Sequence, residues 1–314
     1  MEKLIIATRS SPLALWQANE IANKLNEAGF STELKAIETI GDKKLDVTLS
    51  KIGDKGVFTQ ELEEMLLKGE AHLAVHSAKD MPSKLPEGLE IVAFTERENP
   101  IDVLVSDKTG FQLENKKLVI GTASTRRVAT LKRYFPEIET VTIRGNLQTR
   151  IRKMKEGQCD ALLLAYAGMF RMGFADLITQ QLDIKVFTPA VGQGSMAIEI
   201  SSDLPPAIKI RLQKILQEPK TALSINAERA FLRQMDGGCS IPVFGYSSYE
   251  NGILKITGGI ISLDGMEEIR QTMELEMEVN QIENAILLGR KLGQNILNSG
   301  GDSILSKIKQ NLQR

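Results

Sequence analysis

The chain has 314 residues, of which 42% are hydrophobic and 25% charged, with a formal net charge of −1. That length exceeds what a single hydrophobic core usually organises, so more than one domain is expected. The near-zero charge and an aromatic share of 5% provide no global field for nucleic acid or an anionic membrane, so an anion site has to be a local basic cluster. Two cysteines, Cys159 and Cys239, are too few for a disulfide framework. No apolar run approaches the ~18 residues of a membrane span, and the first strand turns polar at Thr8-Arg9-Ser10 too soon for a signal peptide. A reducing, cytoplasmic setting is expected.

Residues 4–8 read as a buried strand, followed by a helix with Ser11 as N-cap, Pro12 as first helical residue and Gly29 just past its end. Residues 31–39 read as a second strand. The stretch 41–57 carries Gly41, Gly53 and Gly56 with Lys43, Lys44, Lys51 and Lys55, and reads as mobile. Thr59 is placed to cap a helix to Lys68. The apolar run 73–75 then leads into His76-Ser77-Ala78-Lys79-Asp80-Met81 and stops at Pro82, which cannot continue a regular element. Residues 89–94 form a further strand.

An internal repeat follows. Lys3-Leu-Ile-Ile-Ala-Thr-Arg-Ser-Ser11 is similar to Lys117-Leu-Val-Ile-Gly-Thr-Ala-Ser-Thr125, and Gly69-Glu-Ala-His-Leu-Ala-Val75 to Gly157-Gln-Cys-Asp-Ala-Leu-Leu163. Matching pairs in the same order predict two similar α/β lobes with a cleft between them. The second lobe runs from about residue 101 to 188, with helices starting near Ser124 and Asn146. Residues 195–200 read as a strand returning to the first lobe. Helices follow Pro205-Pro206 and cover 221–235, ending at Gly237-Gly238. From 243 to 279 the chain is strand-like, with turns at Asn251-Gly252 and Asp264-Gly265, and helical patterns occupy 281–298 and 304–312. The fold class is therefore α/β, two lobes and a cleft, with a small C-terminal α+β domain.

Asp80 stands out because a strand end in an open α/β sheet is where ligands bind. The Lys79 cation keeps a neighbouring carboxylate ionised, and such a carboxylate can stabilise a developing cation or move a proton. The plainer reading is an aspartate that turns the chain. Basic residues recur at strand-to-helix turns: Arg9 with Ser11, Arg126 and Arg127 with Ser124, then Arg144 and Arg150. Arginine near a helix N-terminus opposes the macrodipole. Repeating that misfit points to an external anion rather than to a solvated basic face or ordinary salt bridges, and guanidinium forks match carboxylates and phosphates.

Gly192-Gln193-Gly194 lacks the spacing of a dinucleotide fingerprint, and nothing matches a P-loop. His72 and His76 have no third ligand beside them, so no metal is expected and both read as structural. Cys159, ahead of an apolar strand, reads as an inert small residue. Cys239, in Asp236-Gly-Gly-Cys-Ser240 after a helix, is a loop thiol that an accessible setting would make a nucleophile, though its spacing alone favours the plainer reading of an ordinary loop residue.

Seven segments together resemble the hydroxymethylbilane synthase (porphobilinogen deaminase) family over essentially the whole chain. They are Arg9-Ser-Ser-Pro-Leu-Ala-Leu-Trp-Gln-Ala18, Gly53-Asp-Lys-Gly-Val-Phe58, His76-Ser-Ala-Lys-Asp80, Gly121-Thr-Ala-Ser-Thr-Arg-Arg127, Arg144-Gly-Asn-Leu-Gln-Thr-Arg150, Pro189-Ala-Val-Gly-Gln-Gly194 and Gly237-Gly-Cys239. Ser240, where the family pattern has glutamine, is the clearest departure; Met81 and Leu147 are mild ones.

The resemblance implies a transferase that joins four porphobilinogen units head to tail with loss of ammonia and releases hydroxymethylbilane by hydrolysis. It implies a dipyrromethane cofactor held by thioether on Cys239, with Ser77, Lys79, Thr122, Ser124, Arg126, Arg127 and Arg144 around it. Asp80 would be catalytic. Arg9, Ser11, Lys55, Phe58, Arg150 and Gln193 would bind substrate, and the glycine-flanked segment near Lys55 would act as a lid. The lobes would be periplasmic-binding-protein-like, spanning 1–97 with 195–217, and 98–194, and the cysteine-bearing domain would span 218–314. The expected partner is porphobilinogen, with no nucleic acid or membrane, and the chain is expected to be a monomer. A two-lobe solute-binding protein would share the lobes and the basic cleft, but has no use for Asp80 or Cys239. A nucleic-acid binder is disfavoured by the net charge and the low aromatic content.

Overall fold

The structure, a computed structural model, describes residues 3–39, 41, 58–114, 117–238, 240–277 and 282–312. The expected mobile segment at 41–57 lies outside these residues apart from Gly41, and so do Lys55 and Cys239.

The first sheet is built from β1 (Lys3–Arg9), β2 (Ser31–Ile37), β3 (Leu73–Ser77), β4 (Leu89–Phe94) and β10 (Met196–Ser201), in the order β2-β1-β3-β10-β4. β1 runs parallel to β2 and β3, whereas β10 is antiparallel to both its neighbours. β1 and β3 are apolar almost throughout because helices cover both faces of the sheet. One cover is α1 (Pro12–Glu27), which buries the stripe Ala14, Ala18, Ile21, Ala22 and Leu25. Pro12 presets its first turn, and Gly29, at φ 89°, ends it in the left-handed region. Ser11 occupies the N-cap with extended backbone but makes no capping hydrogen bond with its side chain. The opposite face carries α2 (Gln60–Leu67).

The second sheet repeats the plan. It contains β5 (Asp102–Val105), β6 (Val119–Gly121), β7 (Glu139–Val141), β8 (Ala161–Ala165) and β9 (Ile178–Gln181), in the order β7-β6-β8-β5-β9. β6 is parallel to β7 and β8, and β5 is antiparallel to its neighbours. The repeat read from the sequence therefore maps onto equivalent positions: β1 onto β6, and β3 onto β8. α3 (Thr125–Tyr134), α4 (Leu147–Lys155) and the short α5 (Tyr166–Arg171) follow β6, β7 and β8.

Two crossovers join the sheets, residues 95–101 from β4 to β5 and 182–195 from β9 to β10. They lie side by side, with Thr95 N donating to Met196 O at 3.1 Å and Glu98 N to Gly194 O at 3.1 Å. Gly192 is required here. Its φ is 76°, and a Cβ would stand 2.9 Å from the Ala78 carbonyl carbon, against the Asp80 turn.

After α6 (Pro206–Leu216) comes α7 (Pro219–Gln234), which opens the C-terminal unit. β11 (Val243–Glu250), β12 (Ile253–Ile261) and β13 (Glu268–Glu276) form an antiparallel sheet, and α8 (Ile282–Ile296) and α9 (Asp302–Leu312) complete it. The β11–β12 turn is the expected Asn251-Gly252, with φ 52° and 80° at its two central residues. The core of this unit packs Phe231 of α7 against Ile256, Ile260 and Leu292.

Candidate active site

A cavity of about 1680 Å³ opens between the two sheets and reaches the C-terminal unit. Its walls come from the carboxyl ends of the parallel strands, where every strand-to-helix turn delivers polar side chains. The ends of β1 and β3 bring Arg9, Ser11, Ser77, Lys79 and Asp80. The ends of β6 and β7 bring Thr122, Ser124, Arg126, Arg127, Arg144 and Arg150. Phe58 and Gln193 complete this wall, and Gly237 and Gly238 line the far end. Every nominated residue among the described ones thus faces one cavity; Lys55 and Cys239 lie outside them, although Gly238 places the lining one residue short of the cysteine.

Asp80 sits on a single turn of 3₁₀ helix (Ala78–Asp80) directly after β3. Its base is fixed by Ala78 N donating to Ser195 O at 3.0 Å, and the Gln17 amide reaches the Ser77 hydroxyl at 3.0 Å. Lys79 donates to Gln193 Oε1 at 3.4 Å. Burial pushes the Lys79 ammonium down to about 8, helped by the Arg127 charge and opposed by Asp80 and Asp102. Arg150 is likewise pushed down to about 10, first by burial, then by Arg127. Its Nε donates to Gly145 O at 2.8 Å. The Arg9 guanidinium lies over the Phe58 ring, 4.3 Å from its centroid.

The two helix N-termini are capped internally. Ser124 Oγ accepts from Arg127 N at 3.5 Å, and Asn146 Oδ1 accepts from Thr149 N at 2.9 Å. Arg126 and Arg127 are not left to an external anion alone, which modifies the reading from helix-terminus misfit. Both bind the fully buried Asp102: Arg126 Nη2 at 2.8 Å, and Arg127 Nη2 at 2.7 Å. Gln193 Nε2 donates to the same carboxylate at 2.9 Å. Burial works against the Asp102 charge, but the two guanidiniums overrule it and hold the carboxyl well below the usual range. The trio keeps one net positive charge. Among the described residues, the buried Nε atoms of both arginines have no hydrogen-bond partner.

Asp102 went unnoticed in the sequence, as did Gln17 and Arg171. Arg171, at the end of α5, lines the cavity, donates to Gly194 O at 2.7 Å and lies over the Trp16 ring. A signal for it existed: α5 follows β8, the counterpart of the strand that leads to Asp80. Cys159 is buried, and burial pushes its thiol up to about 11, in keeping with an inert residue. His72 Nδ1 accepts from Ile5 N at 2.9 Å, and His76 pairs with buried Glu199, so both histidines are structural.

Cationic and hydroxyl donors surrounding a carboxylate suit an elongated, multiply carboxylated ligand. They fit a pyrrole-acid cofactor, since Arg9, Arg144, Arg150, Lys79 and the hydroxyls of Ser77, Thr122 and Ser124 line the cavity as donors for its carboxylates.

Residues 4–209 match a family model described as porphobilinogen deaminase, dipyrromethane cofactor binding domain, and residues 222–298 match the porphobilinogen deaminase C-terminal domain. The porphobilinogen deaminase of Cytophaga hutchinsonii is 48% identical over 310 residues, 98% of each chain. That of Desulfosudis oleivorans is 45% identical over 307 residues, 97% of each. A periplasmic binding protein of Salmonella typhimurium with high arginine specificity aligns at a TM-score of 0.40 and 11% identity, covering 68% of this chain and 92% of that one. A likeness at that level adds nothing to the topology described above.

Proposed function

The chain belongs to the porphobilinogen deaminase family, and from that premise we propose that it condenses four porphobilinogen molecules head to tail, releasing ammonia at each step and hydroxymethylbilane at the end. A dipyrromethane attached through Cys239 would supply the free pyrrole end that accepts the first unit. The lobes would span 1–97 with 195–217, and 98–194, and the cysteine-bearing unit 218–314. We further propose a monomer working in the cytoplasm; the net charge of −1 provides no field to attract nucleic acid. Among the described residues no helix is long and apolar enough to cross a membrane.

The observation that carries this reading is Asp80, half-buried in the cavity next to Lys79 and near Arg150, with its negative charge favouring both cations. Each pyrrole bears an acetate and a propionate, so the growing chain is a polyanion. Arg9, Arg144, Arg150, Lys79 and the net charge of the Asp102 trio neutralise it, with hydroxyls from Ser11, Ser77, Thr122 and Ser124 filling the remaining acceptor sites. Lys55 would add a further cation and Phe58 a face for stacking.

When porphobilinogen loses ammonia, its ring becomes an azafulvenium cation. The Asp80 carboxylate accepts from the pyrrole N–H and stabilises that cation in a site with little water, where a fixed charge acts more strongly than solvent does. A bound dipyrromethane would supply the nucleophilic pyrrole carbon for the new carbon–carbon bond, and Asp80 would be the base that takes the displaced ring proton. The test is stoichiometry. Purified protein given porphobilinogen should release one ammonia per pyrrole consumed and one linear tetrapyrrole per four. Binding of porphobilinogen without ammonia release would instead support a solute-binding protein.

A further inference from the structure

Behind Asp80 lies a cluster of buried ionisable side chains that the reaction scheme leaves unused. His76 Nε2 on β3 stands 3.1 Å from Glu199 Oε2 on β10, both buried. Glu63 of α2 faces this pair from the cavity side, and its carboxyl is raised by burial, with the Glu199 charge adding to the rise. From the C-terminal unit comes Arg229 on α7, only 7% exposed. Among the described residues no carboxylate lies within ion-pair distance of it; the favourable charge it feels is Glu199, while Arg233 repels it. Burying a guanidinium in this way is costly, and an apolar side chain would fill the space at less expense.

The Arg229 hydrogen bond explains its presence. Nη2 donates to the Pro82 carbonyl at 3.0 Å, and one helical turn on, Arg233 Nε donates to the Ser83 carbonyl at 3.1 Å. Proline has no N–H, so its carbonyl is the backbone handle by which this segment can be held. The turn 77–83 is thus held at both ends: at its start by Ala78 N donating to Ser195 O at 3.0 Å, and at its finish by two arginines of α7. Asp80 is in the middle. The same helix ends at Gln234, three residues before Gly237-Gly238 in the cavity wall.

We propose that Arg229 is a positioning residue for Asp80, fixing the far end of its turn from the helix that leads to the cofactor cysteine, so that carboxylate and growing chain keep a constant relative placement. The inference rests on the role given to Asp80 above.

The test uses holoenzyme purified from cells that make porphobilinogen, with rates expressed per chain carrying the added cofactor mass. Arg229→Met should lower kcat at least about tenfold, a barrier rise of about 1.4 kcal/mol, with KM changed less than about threefold, because substrate cations are untouched. Arg229→Lys keeps a donor and should recover most of that kcat even if its Tm falls too. An unchanged kcat in Arg229→Met with only a lowered Tm would overturn the proposal, and so would a loss that Arg229→Lys fails to relieve. If Arg229→Met does not fold, the exposed Arg233→Ala decides: a kcat reduced several-fold at unchanged Tm supports positioning from α7, and an unchanged kcat overturns it. Wild-type protein inert towards porphobilinogen would sink the functional reading instead, a distinguishable result.

Discussion

Asp80 and Lys79 are adjacent but answer different tests. Asp80→Asn keeps the shape and removes the charge, so it should fold with an unchanged Tm yet lose nearly all turnover. A rate within about tenfold of wild type, a barrier change below about 1.4 kcal/mol, would remove Asp80 from the centre of the reaction. Lys79 makes a prediction about pH. With its ammonium pushed down to about 8, it is charged below that pH and loses its charge as pH rises through it. The kcat/KM for porphobilinogen, which reports the free enzyme, should fall through an alkaline limb near 8, and that limb should move upward in Lys79→Arg. The same limb in both proteins would assign it to another group. For the arginines, charge-assisted hydrogen bonds are worth about 1.5–3 kcal/mol each. Arg144→Leu or Arg150→Leu should therefore stall elongation, visible by mass spectrometry as accumulated intermediate adducts; an unaltered adduct pattern would make them surface charges.

At the scale of elements, the sequence was most informative where local chemistry dictates geometry. Ser11-Pro12 and Gly29 delimit α1, Asn251-Gly252 forms the hairpin, and the Lys3/Lys117 repeat identifies strands that occupy the same place in two sheets. The cationic turns converge because parallel strands end on one side, so residues far apart in sequence line one cavity. Asp102 was illegible for the opposite reason. It opens the apolar run Asp102-Val-Leu-Val of β5, and its partners Arg127 and Gln193 are 25 and 91 residues away. Only the antiparallel return of β5 and the adjoining crossover bring them together. Removing one partner of a buried charge cluster typically costs about 3–5 kcal/mol, so Asp102→Ala should lower the unfolding free energy by about that amount in denaturant titration. Because the folded carboxyl is held low, this contribution is present above the ordinary aspartate range near pH 4 and fades as pH falls below it. A wild-type-like midpoint would mean that Arg126 and Arg127 are held by Thr188 O and Leu163 O alone.

On the scale of the whole molecule, α7 ties the parts together. Glu228 receives Arg97 of the crossover at 2.7 Å, Gly192 N at 2.8 Å and Ser247 N of β11 at 2.7 Å, so the crossovers between the sheets and the C-terminal unit share one buried carboxylate. That arrangement leads from the Asp80 turn to Gly237-Gly238 at the end of the cavity, next to the residue on which the account depends most. The central claim is that this chain carries a covalent pyrrole primer on Cys239, and the intact mass of protein purified from porphobilinogen-producing cells tests it most directly. The account predicts a mass above that of the bare chain by one dipyrromethane, mapping to the peptide that contains Cys239, lost in Cys239→Ser and kept in Cys159→Ser. A wild-type mass equal to the bare chain would contradict it.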